Sequence, residues 1–503
     1  MKLRPIFLLL SFGAAVACGA HDFSGDEDAG SDVAVVPPPI DASFGDTAAP
    51  DAGDGGCTNL QCNVDLACGD AGLGETTLTG TVYDPAGAVG LYGIFVYVPN
   101  ATPDPIAPGN PTCSACQAPA SGSPIVSTFT DAKGHFTLTR GPNDKWGVPT
   151  GDGIPLVIQA GKWRRQLVVP HVDSCGTVDL DAVFNSGTGT LQQQHQLRLP
   201  SKSSEGDMPL IAFTSGIDPA ECFLLHVGID PSEFVPPTSP TGHVHFYTGL
   251  DSEGKGGVAS TIDGGDTPLE TYQWWTDHAN LEKYDLVFNA CEGAPNSRVP
   301  KNGAVEDPYV AMDEYLKAGG RLFATHYYEN WFTNPSTPDL KSAADWGGAQ
   351  GDGGAGISET ENVDQTFPKG AALADWLVNA GASTTPGVVT FTDTRDSIQG
   401  LEPQGCSVQN ASCYSTSWIY EPTSGHPRYV SFNVPVGAPN SAQCGRAVLS
   451  NVHLSGTTNG ATFPDECAKS DPDYANNERA LEFLFFDLAS CVQNDDAPPQ
   501  PPN

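Results

Sequence analysis

The amino-acid sequence predicts two folded regions of different class: a β-sandwich, and after it an α/β region with an open, mostly parallel sheet and helices on both faces. Short β-rich runs separated by turn residues fill the first region, which is the pattern of an all-β sandwich. Strand-like and helix-like segments alternate in the second region, as they do in parallel α/β sheets. The length of 503 residues also exceeds what one core usually holds.

The charge balance restricts the partners. The chain has 60 acidic and 23 basic residues, which gives a formal net charge of −37. Nucleic acid is excluded as a partner, because binding to phosphates needs clustered Lys and Arg. The same deficit of basic residues argues against attraction to anionic lipid head groups.

The N-terminus has the layout of an export signal. A basic start at Lys2 and Arg4 precedes a short apolar run over residues 6–17. Small residues followed at once by Cys18 resemble a bacterial lipoprotein signal over residues 1–18, in which the cysteine becomes the lipidated N-terminus. We therefore expect an exported protein of the cell envelope or surface, whose tie to a membrane is a lipid anchor on Cys18. Cleavage without lipidation, giving a secreted protein, is the alternative.

Two segments lack the large apolar side chains that a core requires. Residues 19–56 predict a disordered acidic linker, and residues 493–503 predict a disordered tail. With Cys18 set aside, 13 of the 14 cysteines remain, and in an exported chain they are expected to form disulfides, with the odd total leaving at least one thiol free or intermolecular. This also holds for the C-x-x-C of Cys113 and Cys116, since a zinc site would need a second pair or histidine ligands. The spacing leaves the connectivity open.

The β-rich region covers residues 57–200. Its clearest runs are residues 80–84 with Gly87, residues 95–98 and residues 130–136, each bounded by turn residues. These runs resemble the carboxypeptidase regulatory-like domain, a transthyretin-like sandwich. The resemblance implies a module that binds or spaces and does not catalyse.

The α/β region covers residues 205–492, and its elements can be assigned in order. Helices are expected after the Asp-Pro or Thr-Pro pairs at residues 218, 267 and 307, because Asp and Thr cap helices and Pro suits the first helical position. The second of these helices is expected to run to about residue 281. Further helices are expected from residue 367 and over residues 477–488. The predicted strands cover residues 209–213, 285–289, 321–325, 388–392, 429–434 and 447–451.

Polar and titratable residues follow four of these strands. Because the carboxyl ends of parallel strands meet at one edge of the sheet, we expect these side chains to share a cleft. The residues that follow the strands are Thr214, Ser215 and Asp218, then Cys291 and Glu292, then His326, Tyr327 and Glu329, and finally His453. We take His326, His453 and Glu292 as candidate catalytic residues, and Asp218, Ser215, Tyr327, Glu329 and Trp331 as candidate ligand-binding residues.

The α/β region resembles the class I glutamine amidotransferase-like superfamily and, within it, the trehalose-utilisation-like branch. Residues 284–289, 315–326 and 445–453 carry the resemblance, which implies a flavodoxin-like sheet. The superfamily has a nucleophilic cysteine in the tight turn where this chain has His326. The nearest thiol, Cys291, follows a different strand. This departure predicts that the chain does not hydrolyse glutamine through a cysteine triad.

Four functions remain open for the predicted cleft. The favoured one is binding of a carbohydrate or another small polar ligand without catalysis. A second is hydrolysis of a glycosidic, ester or amide bond by His326 and His453 with Glu292 or Glu329. A third is a divalent metal site, although no H-E-x-x-H spacing supports it and no cofactor is expected. The fourth is a purely structural role.

Overall fold

The computed structural model describes residues 56–70, 72–113, 120–142, 144–216, 218–248, 269–270, 274–291, 306–347, 357–406, 412–454, 462–468, 472–490 and 492–499. The predicted lipidation site Cys18, the linker up to residue 55, Cys116 and Glu292 lie outside these residues. No helix in the described ranges combines the length and the apolar character needed to cross a bilayer.

The β-rich region forms two small sheets. One has the strand order β4-β1-β7 and the other has the order β3-β2-β5-β6. Leu78 and Phe136 of the first sheet belong to the same core cluster as Val96 and Ile158 of the second. A shared core between two sheets agrees with the β-rich prediction, and its transthyretin-like subtype stays a prediction. The strands are β1 Thr77–Thr81, β2 Phe95–Pro99, β3 Pro124–Phe129, β4 His135–Leu138, β5 Gly151–Ala160, β6 Trp163–Val172 and β7 Thr177–Asp179, and the short helices are α1 Ala67–Asp70, α2 Leu180–Phe184 and α3 Leu191–Gln194.

The second region contains a large mixed sheet with helices, so its α/β character is confirmed. Its strands are β8 Ile211–Ser215, β9 Phe234–Val235, β10 Val244–Thr248, β11 Leu269–Glu270, β12 Leu286–Asn289, β13 Arg321–Thr325, β14 Ala344–Asp345, β15 Ser358–Val363, β16 Val388–Thr392, β17 Gly400–Leu401, β18 Thr416–Tyr420, β19 Pro427–Val434 and β20 Gly445–Ser450. Its helices are α4 Ala220–His226, α5 His278–Leu281, α6 Pro308–Lys317, α7 Asn330–Thr333, α8 Pro338–Lys341, α9 Pro368–Asn379 and α10 Ala475–Ala489.

The sheet is mixed: it has the predicted parallel strands and also an antiparallel part that the sequence did not predict. In the order β11-β10-β8-β12-β13-β20-β19-β18-β15-β16, the strands from β11 to β20 run parallel and those from β20 to β16 pair antiparallel. Residues 421–426 join β18 to β19 and residues 435–444 join β19 to β20. Such connections have no room for the helical crossover that a parallel neighbour requires.

Successive residues of the parallel strands face opposite sides of the sheet, as the pleat dictates. One face, with Phe213, Phe288 and Phe323, packs in the core cluster that contains Phe485 of α10. The other face, with Ala212, Val287 and Leu322, packs in a second cluster that contains Tyr315 and Leu316 of α6. Helices therefore cover both faces, and polar side chains are displaced to the strand ends.

The predicted helix from residue 267 to about residue 281 is wrong. Leu269 and Glu270 instead pair as β11 with the open edge of β10, and the helix is limited to α5, which Asp277 caps. Trp274 stacks on Tyr247 with 4.5 Å between ring centroids and is buried. Tertiary packing of this ring thus replaces the helix that the Thr-Pro start predicts.

The β-rich region contacts the amino ends of the parallel strands. Asp285, directly before β12, is paired with Lys162 of the β-rich region at 2.5 Å. Cys444, directly before β20, forms a disulfide with Cys113. The other disulfides among the described cysteines are Cys57–Cys62, Cys68–Cys175, Cys222–Cys467 and Cys406–Cys413.

Asp495 lies within the segment that the sequence predicts as a disordered tail. This carboxylate is buried and accepts hydrogen bonds from Arg446 of β20 at 2.7 Å and from Lys369 of α9 at 3.2 Å. Burial alone would raise the pKa of Asp495, but Arg446 and Lys369 lower it to about 2. The segment is held because two buried cations need a nearby carboxylate, which composition alone does not reveal.

Candidate functional site

His326 is the first residue after β13 and has an unusual backbone conformation. All five residues of β13 are buried, and the chain then turns sharply into a 3-10 turn over His326–Glu329. His326 has φ of 53°, in the left-handed region that non-glycine residues rarely adopt. Its ring is buried at the carboxyl end of the sheet. Such strained residues persist only where the surrounding structure holds them, and they are typical of functional sites.

Asp218 and His453 form a short hydrogen-bonded pair at the same edge. Asp218 follows β8 and is fully buried, while the His453 side chain, which follows β20, is 16% exposed. The Asp218 Oδ1 lies 2.6 Å from His453 Nδ1. A carboxylate that accepts the Nδ1–H bond fixes the imidazole tautomer and leaves Nε2 facing other groups. The predicted capping role of Asp218 is wrong, since α4 begins at Ala220 without a side-chain cap.

Thr325, the last residue of β13, connects the neighbouring strand ends. Its hydroxyl donates to Asp218 Oδ2 at 3.0 Å and accepts the backbone N–H of Cys291 at 2.9 Å. The backbone N–H of Asp218 in turn donates to the carbonyl of Cys291 at 3.2 Å. The ends of β8, β12 and β13 are thus tied together by one hydroxyl and one carboxylate.

Cys291 is a buried thiol at the end of β12, whereas the other described cysteines are paired in disulfides. Its Sγ lies 3.3 Å from His326 Nδ1. The His326 and His453 rings lie 3.9 Å apart between centroids, at an angle of 34°. One donor atom from each of these three side chains falls within 4.8 Å of the others. We call Asp218, Cys291, Thr325, His326 and His453 the strand-end cluster.

The structure therefore brings together Asp218, His326 and His453, which the sequence places at three different strand exits. Thr325 is a member that the sequence argument did not select, and Cys291 was placed at a strand exit but was not taken as a catalytic or binding residue. Cys291 had a signal, because it also follows a strand at a neighbouring exit. Thr325 had no such signal, because in the sequence it is simply the last residue of an apolar strand.

Arg395 adds a buried cation beside the cluster. Its Nη2 donates to Glu329 Oε1 at 3.0 Å, and its guanidinium lies 4.0 Å from the centroid of the Tyr327 ring. Its backbone N–H donates to the carbonyl of Asn451, two residues before His453. Glu329 is buried and positions Arg395, while Tyr327 is half-buried at the rim.

The remaining predicted site residues have different surroundings. Trp331 is fully buried in the core cluster, and its Nε1 donates to Asn289 Oδ1 at 3.0 Å, so it supports the end of β12. Ser215 ends β8, and its side chain is not among the described atoms. A cavity of about 370 Å³ lies elsewhere, at the amino edge of the sheet, where Phe95, Lys162 and Arg321 contribute to its lining.

Fold and site together define an α/β protein with a mixed sheet and a Cys–His–His–Asp cluster at the carboxyl end of its parallel strands. No protein-family model matches the chain, and no curated protein matches it. Among solved structures, a putative ThuA-like protein from Bacteroides uniformis is 9% identical, with 55% of this chain and 89% of that chain covered and a TM-score of 0.29. A cytoplasmic protein from Salmonella typhimurium is 10% identical, with 55% and 97% covered and a TM-score of 0.27. Likenesses this distant carry no argument about function, and both family resemblances stay predictions.

Proposed function

We propose that the chain is an exported, lipid-anchored protein of the cell envelope that binds a small polar ligand at the strand-end cluster. The observation that carries this proposal is the convergence of Asp218, His326 and His453 from three separate strand ends. Burying a carboxylate and two imidazoles costs stability unless they are well paired. A cluster of this kind at the carboxyl edge of parallel strands is where α/β proteins bind ligands.

The surroundings of the cluster limit the ligand. His453 is the partly exposed member, and Tyr327 is half-buried beside it. A ligand that approaches along this side would meet an imidazole and a phenol ring. Small polar molecules that donate and accept hydrogen bonds, such as a carbohydrate, suit these groups.

The proposal is tested by a ligand screen on the full chain with two histidine variants. His453→Ala removes the partly exposed member of the cluster. His243→Ala is the matched control, because His243 is also partly exposed and also paired with a buried carboxylate, Glu233, at 2.9 Å, at the opposite end of the sheet. We expect calorimetry to show ligand binding by the wild type and the control, and a loss of at least about tenfold in affinity for His453→Ala. Equal ligand binding by all three proteins would show that the strand-end cluster does not bind the ligand.

Hydrolysis is the second candidate, and the Asp218–His453 hydrogen bond favours it. A buried carboxylate that orients an imidazole is the arrangement of a general acid or base. In this case Asp218→Asn lowers turnover of a glycoside, ester or peptide substrate by at least about a hundredfold. If the wild type turns over none of these substrates, hydrolysis is contradicted and ligand binding remains as the proposed function.

The proposed address depends on the N-terminal sequence. The basic start and apolar run before Cys18 support export. The five disulfides among the described residues are compatible with an oxidising compartment. Metabolic labelling with a fatty acid should mark the wild type and not Cys18→Ser. Labelling that survives this substitution contradicts the anchor.

A further inference from the structure

We propose that Cys291, His326 and His453 bind a zinc ion and leave its fourth coordination position open. The inference deepens the proposed function, because the zinc ion would be the group that the polar ligand contacts. Only this contact rests on the proposed function, and zinc binding itself does not. A thiolate and two imidazoles are a donor set that zinc prefers over Mg²⁺ or Ca²⁺, which take oxygen ligands.

The distances within the cluster match this coordination. Zinc bonds of about 2.3 Å to sulfur and about 2.0–2.1 Å to nitrogen place two tetrahedral ligands about 3.5 Å apart. The distance from Cys291 Sγ to His326 Nδ1 is 3.3 Å. A ligand atom of His453 lies within 4.8 Å of both other donors, so the three donor atoms are within reach of one ion.

Asp218 lies where it can position His453 as a metal-binding histidine. Histidines that bind zinc commonly donate their other ring N–H to a carboxylate, which fixes the ring and makes the free nitrogen more basic. Asp218 Oδ1 lies 2.6 Å from His453 Nδ1, and with this pairing Nε2 is the nitrogen that would bind the metal. Thr325 holds the other carboxylate oxygen of Asp218 at 3.0 Å.

The backbone that carries the three ligands is rigid. Each ligand follows one of three neighbouring parallel strands, β12, β13 and β20. The left-handed backbone conformation of His326 costs free energy, and it lets the ring turn toward Cys291. A role of His326 as a metal-binding residue would explain why this strain is kept. Ligands from three separate strands also explain why no local sequence motif reveals the site.

A second group with suitable donors, Asp277, His278 and Glu306, lies beside α5. The side chains of this second group form hydrogen bonds at the start of α5. Asp277 accepts the backbone N–H of Ala279, and Glu306 binds both the backbone and the ring of His278. This group contains no thiolate and is only half-buried, so we use it as the control site.

The test is a metal titration of the chelator-treated full chain with Zn²⁺ and with Co²⁺ as a spectroscopic probe. We expect one tightly bound ion per chain and a thiolate-to-cobalt charge-transfer band in the wild type. Cys291→Ser should abolish the band, and Asp218→Asn should weaken binding about 10–100-fold. His278→Ala should leave both unchanged. Circular dichroism of each variant separates a lost ligand from a lost fold.

Failure of this inference is distinct from failure of the proposed function. No tight Zn²⁺ binding and no charge-transfer band in the wild type overturn the zinc site, and so does binding that His278→Ala removes and Cys291→Ser preserves. Polar-ligand binding that persists in chelator-treated protein overturns the metal as the ligand contact and leaves the ligand site standing. A chain that binds Zn²⁺ but binds no ligand in the screen would support the zinc site and contradict the proposed ligand-binding function.

Discussion

The two ends of the parallel strands both carry buried polar side chains, but the two ends use them differently. At the amino end of β20, Arg446 contacts Asp487 at 2.8 Å and Asp495 at 2.7 Å. Beyond the carboxyl end of the same strand, His453 joins the strand-end cluster. The amino end thus has full cations matched by carboxylates, whereas the carboxyl end has, beside the Arg395–Glu329 ion pair, a thiol and two imidazoles around one carboxylate.

This difference follows from what contacts each end. The β-rich region is fastened to the amino end through the Lys162–Asp285 ion pair and the Cys113–Cys444 disulfide. Ion pairs there serve to hold elements together. The carboxyl end gathers a thiol and two imidazoles, which are donor groups that bind transition metals. We infer that one edge of the sheet is scaffold and the opposite edge is the functional surface, and substitutions at each edge test that division.

The largest expected effect on stability is at the amino edge. Arg446→Gln leaves Asp487 and Asp495 buried, with Lys369 as the remaining cation that pairs with them among the described residues. Breaking a buried ion pair from one side typically costs about 3–5 kcal/mol. We expect a loss of this size in the free energy of unfolding, measured with urea. Metal and ligand binding by the fraction that remains folded should be unchanged, and an altered affinity would contradict the division between the edges.

A smaller effect is expected at His326, where the backbone conformation can be separated from the side chain. A left-handed residue costs roughly 1–2 kcal/mol for ordinary side chains, and Asn tolerates it better than Ala. His326→Asn should therefore be more stable than His326→Ala by about 1 kcal/mol in urea unfolding. Both variants should lose tight Zn²⁺ binding. Equal stability of the two would show that the φ of 53° is not a strained position.

The sequence predicted the parts of the site that depend on local order. Asp218, His326 and His453 were found because each follows an apolar strand, and the strand ends can be located from the sequence. The contact between Cys291 and His326 was missed, since it depends on which strands become neighbours. The antiparallel half was missed because strand patterns alone do not show direction. Its signal was the lack of a helical segment between residues 434 and 445.

The smallest expected effect lies where the β-rich region meets α10, and it concerns pH. Asp84 accepts the backbone N–H groups of Ala88 and Val89 at 2.6 and 3.3 Å and lies beside Glu482 of α10. Burial and the neighbouring Glu482 raise the pKa of Asp84 well above its ordinary value of 3.8. The folded protein therefore binds a proton here that the unfolded chain releases above about pH 4. The stability that this proton provides is lost as the pH rises through the folded-state pKa.

Asp84→Asn should remove this dependence, because the amide oxygen keeps both backbone hydrogen bonds and the amide nitrogen can donate to Glu482 at every pH. We expect urea unfolding between about pH 5 and pH 8 to give a flatter stability profile for the variant, with a gain over the wild type of about 1 kcal/mol at the upper end. Asp131→Asn is the matched control, since Asp131 also accepts two backbone N–H groups but is exposed. Parallel profiles for the wild type and Asp84→Asn would show that Asp84 carries no buried proton.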